Sequence, residues 1–393
     1  MLSQATVDLQ DYGLKDNPFA LMPRDRVTEW AGMEEVRNKL EDVVRSVLAG
    51  DVGLSEFVLV HGEYGAGKTH ALKYLTTLIN EVESESFQAR AIYMPKVKVA
   101  PKLSFVALYF EIMREFGRDF VRHLGRRIQE RVEEATTQIA RGTGPNAPEG
   151  NARALRQRGI AALPEDDQPM VRVLLAIAEG RDEALTYLFE GAPAVEEAGY
   201  TEKIDSSYMA TKVLSALLRV MTLSIRNQPP AYQAVHLFID DVDEVLEARS
   251  AEQADLWFAI RELVNSIPRN FALILAFTAE TALLEAVLPE SLETRTSRRP
   301  IELRALDLDS ARRFVRQQIK NHRPEAYSPP QPYHPFTEEA VDYVLEQVVT
   351  LVPRKIFRAL HQVMERAIRR HGIEPGEEIS AEVAQDIVMR MGI

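Results

Sequence analysis

Gly62-Glu63-Tyr64-Gly65-Ala66-Gly67-Lys68-Thr69 is the stretch on which the reading of this chain turns. It matches G-x-x-x-x-G-K-[ST] at every fixed position, and its flanks agree. Phe57-Val58-Leu59-Val60 before it is a short apolar run rich in β-branched residues, which predicts a strand buried in a parallel sheet. Residues 70–82 after it carry a helical pattern. Glycines let a backbone curl so that successive N–H groups converge on phosphate oxygens, with the positive end of the following helix behind them. Lys68 supplies a charge for β- and γ-phosphates, and the Thr69 hydroxyl is a ligand for Mg²⁺. The expected phosphate-binding set is therefore Gly62, Tyr64, Gly65, Ala66, Gly67, Lys68, Thr69 and His70. A glycine turn with a chance Lys-Thr is the bland alternative, and it accounts for neither flank.

The partner signal lies far downstream. His236-Leu237-Phe238-Ile239-Asp240-Asp241 is an apolar strand ending in two carboxylates, and such a strand end is where ligands of open α/β sheets collect. Asp240 is expected to hold Mg²⁺, and Asp241 to orient or deprotonate an attacking water, with Asp243 or Glu244 in reserve. A guanine-selective N/T-K-x-D element is missing from the late part of the chain. Asn38-Lys39-Leu40-Glu41 comes too early and lacks the Asp, so ATP is the expected nucleotide.

Around these motifs the pattern alternates. A helix is predicted at 33–48, strands at 89–97, 235–240, 271–277 and 299–303, and a helix at 253–266. Between them 103–226 reads as helices, broken by the loop signal Gly142–Pro148 and near Pro164. The end reads as helices at 309–321, 337–351, 354–371 and 380–391, with Thr337 and Ser380 as N-caps. The fold class is α/β: a three-layer P-loop NTPase parallel-sheet core with a large helical insertion and a C-terminal helical lid. The predicted division is an N-terminal segment 1–55, a core of 56–102 and 227–304, an insertion 103–226 and a lid 305–393.

Composition narrows the function classes. The 393 residues carry a formal charge of −12, which argues against a wholly basic nucleic-acid coat. Without any cysteine there are no disulfides, thiolate nucleophiles or Cys-based metal sites, which suits a reducing cytoplasm. The eight histidines show no HExxH pairing. Apolar runs such as 271–277 are too short to span a bilayer, and the first residues lack a secretory pattern, so a cytoplasmic protein with no membrane partner is expected.

With these residues in order, the chain resembles the AAA+ ATPases, most closely the initiator-like branch of origin-recognition and transposition-regulator ATPases. It is also similar to ATP-binding proteins of BREX-type phage-defence loci. The likeness covers about residues 14–98 and 230–393. It implies an adenine-side segment at Asn17-Pro18-Phe19 and Trp30-Ala31-Gly32-Met33, with Phe19 among the nucleotide-binding residues. It implies sensor 1 at Thr278 and sensor 2 in Val352-Pro353-Arg354, with Arg354 on the γ-phosphate. An arginine finger for the neighbouring subunit would come from Arg295, Arg298 or Arg299, Arg295 being the first choice. The resemblance further implies ATP with Mg²⁺, ATP hydrolysis that Asp241 in place of the family's Glu would slow, self-assembly into a ring or filament, and work associated with DNA. A protein partner encoded elsewhere is also implied.

Three departures from the family pattern matter. Asp241 stands where the family usually has Glu. Lys68 and Asp240 are 172 residues apart, which marks 103–226 as an insertion. The sequence runs to Ile393 just past the lid without a winged helix, so sequence-specific DNA binding is not expected. A non-specific contact could come from Arg114, Arg118, Arg122 and Arg126, which form a stripe at helical spacing beside Arg127 and Arg131. The plain alternative is a solvated face laced with Glu111, Glu115, Asp119 and Glu130. A STAND-like switch, in which ATP locks a conformation with little turnover, is the competing function. A remodelling motor ranks last, because Leu103-Ser104-Phe105-Val106 makes a poor pore loop.

Overall fold

The computed structural model describes residues 9–21, 25–48, 54–97, 102–142, 152–191, 195–226, 228–278, 289–296 and 298–391. Residues 143–148 of the expected loop lie outside them. Five strands form a parallel sheet: β1 Glu56–Gly62, β2 Arg90–Met94, β3 Val235–Ile239, β4 Phe271–Phe277 and β5 Ile301–Leu303, in the order β2-β3-β4-β1-β5. Every residue of β3 and β4 is buried, as continuous apolar runs require when both faces are covered. Register is plain: Arg90 and Phe271 flank Val235, and Met94 and Leu275 flank Ile239. β2 stops at Met94, short of the predicted end, because Pro95 has no N–H to give the ladder.

The helices follow the predicted order: α1 Glu34–Ser46, α2 Lys68–Thr77, α3 Phe105–Phe116, α4 Arg118–Gly142, α5 Ala152–Ala161, α6 Gln168–Ala178, α7 Asp182–Glu190, α8 Ser207–Thr222, α9 Ser250–Ser266, α10 Leu308–Asn321, α11 Glu338–Gln347, α12 Pro353–Arg370 and α13 Ala381–Met391. α2 runs on through a π-turn at Leu78–Val82 rather than ending in regular helix. Side-chain caps fix several starts. Thr337 accepts from Ala340 N at 3.2 Å, Ser380 from Val383 N at 3.4 Å, and Ser104 from Ala107 N at 3.2 Å. Phe105, placed by that last cap, is fully buried, which removes it as a pore-loop aromatic.

The described contacts divide the chain into two compact units. One comprises Glu41–Val60 and Leu75–Ile301. Its apolar core is continuous from the sheet into the inserted helices, joining Ile92, Leu237 and Leu273 to Tyr109 of α3, Leu174 of α6 and Leu214 of α8. A half-buried Arg219–Asp167 pair at 2.7 Å ties α8 to the start of α6. The other comprises Met1–Leu40, His61–Tyr74 and Glu302–Ile393. Its core joins Leu14 and Phe19 to the C-terminal helices, where Phe314 stacks on Phe357 with centroids 5.2 Å apart. No described helix is long and apolar enough to cross a membrane.

Candidate nucleotide site

The phosphate-loop segment belongs to the unit that holds the C-terminal helices. Gly62, Gly65 and Gly67 all have positive φ, +157°, +87° and +107°, and the last two lie in backbone that only glycine adopts without strain. A Cβ on Gly62 would lie 2.4 Å from the Leu303 carbonyl oxygen, so β5 leaves room for glycine alone. Lys68 opens α2, and its buried ammonium donates to the carbonyls of Gly62 at 2.8 Å and Glu63 at 3.1 Å. The charge thus folds back over the loop that carries it. Thr69 is the next residue of α2, Ala66 is buried, and Tyr64 is exposed.

Arg354 is brought to this loop. Pro353, favoured at a first helical position, starts α12, and the next residue's backbone N–H donates to Gly65 O at 3.2 Å. The Arg354 guanidinium lies over the Tyr64 ring, 4.7 Å from its centroid. Two residues 290 positions apart in sequence therefore share one loop.

His70, on the first turn of α2, donates from Nε2 to Glu29 O at 3.1 Å and meets the Trp30 ring edge-on at 6.0 Å. Burial holds its imidazole below the usual histidine range, so the ring is neutral with Nδ1 left as an acceptor. An open cleft beside it is lined by Pro18, Ala20, Thr28, His70, Gln318 and Phe357. Phe19 itself points away from the cleft. Its ring is fully buried against Phe336 at 6.0 Å and Phe357 at 5.9 Å, while its chain neighbours Pro18 and Ala20 form the wall. The signal for this inward turn is an apolar residue between Pro and Ala that packs better in a core than beside solvent.

In the other unit, Asp240 directly follows β3 and is almost wholly buried, at 3% exposure. Its Oδ1 accepts the Asp241 N–H at 2.9 Å and its Oδ2 the Tyr93 hydroxyl at 3.0 Å. Asp241 follows in a left-handed conformation, φ 49° and ψ 53°, which Asp tolerates better than most residues. Burial first, then the neighbouring Asp243 and Asp240, push its carboxyl above the ordinary aspartate value. The two reserve acids are engaged elsewhere. Both oxygens of Asp243 accept the backbone N–H of Thr278, at 2.7 and 2.8 Å, and Glu244 pairs with Lys96. Among the described residues, Asp241 is the one of these four acids whose carboxylate has no hydrogen-bond or ion-pair partner. Thr278 is exposed and tied to the acid turn by its backbone. Sequence reasoning missed Tyr93 and this role of Asp243, because a tyrosine in a strand reads as packing.

The three arginines before β5 separate. Arg298 pairs with the half-buried Glu56 at 3.1 Å, whereas Arg295 and Arg299 are exposed. Along α3 and α4, Arg114 pairs with Glu111, and Arg118 pairs with Glu190 and covers the Phe189 ring. Arg122 reaches Asp119 at 3.2 Å and Asp182 at 3.7 Å. Arg127 lies over Tyr232, and Arg131 donates to Pro230 O at 2.9 Å. Apart from the exposed Arg126, the basic stripe is thus already laced to its own protein.

No family model matches the chain, and no curated protein matches it in sequence. Solved structures do. The ORC2 protein of Aeropyrum pernix in its ADP form is similar over 96% of this chain and 73% of that one, at 14% identity and a TM-score of 0.52. The same protein in ADPNP–ADP complexes is similar over 95% and 71%, at 13% identity and a TM-score of 0.50. The likeness is one of fold, and it agrees with the parallel sheet, the phosphate loop after β1 and the C-terminal helices. The chain shares the overall α/β fold of that ORC2 protein.

Proposed function

We propose that this chain is an ATP-binding and slowly hydrolysing switch whose nucleotide state governs self-assembly in a DNA-associated process. The observation that carries the reading is Arg354 held by its own backbone on the loop over which Lys68 folds back. The loop N–H groups and Lys68 would bind the β- and γ-phosphates, the cleft beside His70 the base, and Arg354 the γ-phosphate. The A. pernix ORC2 complexes with ADP and ADPNP lend support, since that protein takes adenine nucleotides on the same fold.

The donor chemistry fits Mg²⁺. Each Asp240 oxygen accepts one hydrogen bond and keeps a lone pair, and a carboxylate with a hydroxyl such as that of Thr69 makes a hard oxygen set. When bound, the ion neutralises charge on the β- and γ-phosphate oxygens. Asp241 would orient the attacking water and take its proton as the water oxygen bonds to the γ-phosphorus. The bond from that phosphorus to the β–γ bridging oxygen breaks, and ADP leaves with the electron pair. Lys68 and Arg354 would offset charge on the transferring group.

Asp241 also favours a second reading, a STAND-like switch with almost no turnover, since its side chain is a methylene shorter than the family's Glu. Phosphate release separates the two. The proposed reading expects measurable release that Arg354→Ala reduces at least ten-fold, and native mass measurement showing larger assemblies of Asp241→Asn protein with ATP. A strictly monomeric protein under those conditions contradicts it. The DNA-associated role is tested by gel shift with duplex DNA, with and without ATP. A protein partner encoded elsewhere belongs to the same reading.

A further inference from the structure

Tyr93 does something a strand residue has no packing reason to do. It lies one residue before the end of β2, in register with Phe238 of β3. The Asp240 N–H donates to Met94 O at 2.8 Å, so the ladder extends one step past β3 and pins the Asp240 backbone to β2. From the same strand the Tyr93 hydroxyl reaches Asp240 Oδ2 at 3.0 Å, while Oδ1 takes the Asp241 N–H at 2.9 Å. Two donors from two directions therefore fix the plane of this carboxylate, and the remaining lone pairs point where those donors leave them. A phenylalanine would fill the same space against the sheet, so the hydroxyl is surplus to packing.

We propose that Tyr93 is a positioning residue that sets the metal affinity of Asp240. The inference rests on the reading of Asp240 as a metal ligand. Groups that orient a ligating side chain through a hydrogen bond typically contribute about 10- to 100-fold in metal affinity. Removing the hydroxyl lets the carboxylate rotate and leaves the loop that holds the phosphates untouched.

The test uses the full chain and Mn²⁺ as the probe, its binding followed by electron paramagnetic resonance in the presence of ATP. ATP affinity is measured in parallel with EDTA. Tyr93→Phe is expected to bind ATP in EDTA within about two-fold of the unaltered chain and to bind Mn²⁺ about ten-fold more weakly. Tyr93→Phe that holds Mn²⁺ as the unaltered chain does, while Asp240→Asn has lost it, overturns the inference and leaves the metal reading standing. Mn²⁺ affinity unchanged in Asp240→Asn overturns both. Equal loss of ATP affinity in EDTA would assign Tyr93 to the sheet's stability and overturn the inference as well.

Discussion

The Cβ of Arg354 occupies the space that a side chain at position 65 would need: a Cβ added to Gly65 would lie 2.7 Å from it. The backbone bond from Arg354 N to Gly65 O, 3.2 Å, holds the two at that separation. The start of α12 is thereby locked to the phosphate loop by main chain, not by a side chain that could swing away.

Gly65→Ala is therefore expected to fail twice, by the clash and by the strain of φ +87°. The strain alone costs about 1–3 kcal/mol. Denaturant unfolding should show a loss of that order, and titration calorimetry a fall in ATP affinity of about ten-fold or more. Unchanged affinity would mean that α12 does not need to sit on the loop for nucleotide to bind.

The arginines before β5 divide into a structural one and a candidate finger. Removing Arg298 leaves Glu56, whose side chain is 12% exposed, without that cation, so Arg298→Ala is expected to lower stability by about 1–3 kcal/mol. Arg295→Ala is expected to leave stability within about 0.5 kcal/mol while abolishing turnover. Mixing Arg295→Ala with Asp241→Asn protein, each inactive alone, should restore part of the phosphate release, because one supplies an intact acid and the other an intact arginine. A mixture as inactive as its parts would remove Arg295 from the neighbour's site.

His236 supplies a pH dependence whose sign can be worked out. Burial in β3 holds its pKa down at about 4, and its Nε2 donates to Val44 O at 3.3 Å. The fold prefers the neutral ring, so the unfolded chain takes up the proton first. This contribution is absent above about pH 7, lowers stability as pH drops below the unfolded value near 6.5, and levels off near 4, reaching about 3 kcal/mol. His70 and His334, also held down by burial, act in the same direction. The check is the difference between the unaltered chain and His236→Leu in denaturant unfolding at pH 7.5 and 5. Parallel pH dependences would contradict the assignment.

Much of the fold was legible because the apolar runs at 57–60, 235–239 and 271–277 were continuous and flanked by turn chemistry, and because Thr337 and Ser380 stand directly before helical periodicity. The phosphate loop was legible because glycine spacing encodes backbone geometry locally. The Tyr93–Asp240 bond was not, since it joins residues 147 apart and a strand tyrosine carries no local sign of what its hydroxyl meets. Phe19 shows the converse. A segment matched on its pattern presents Pro18 and Ala20 to the cleft, because burying the larger ring against Phe336 and Phe357 wins more apolar contact. Arg298 and Arg295 look alike in sequence, and only the half-buried Glu56 tells them apart.

In the proposed reading, the loop from Gly62 to Thr69 holds a triphosphate through Lys68. The most direct measurement is equilibrium binding of ATP with Mg²⁺ to the unaltered chain and to Lys68→Ala, with unfolding curves run alongside to confirm that both are folded. Removing the ammonium is expected to lower the affinity about 100-fold or more. Equal affinity in a folded Lys68→Ala protein would contradict it.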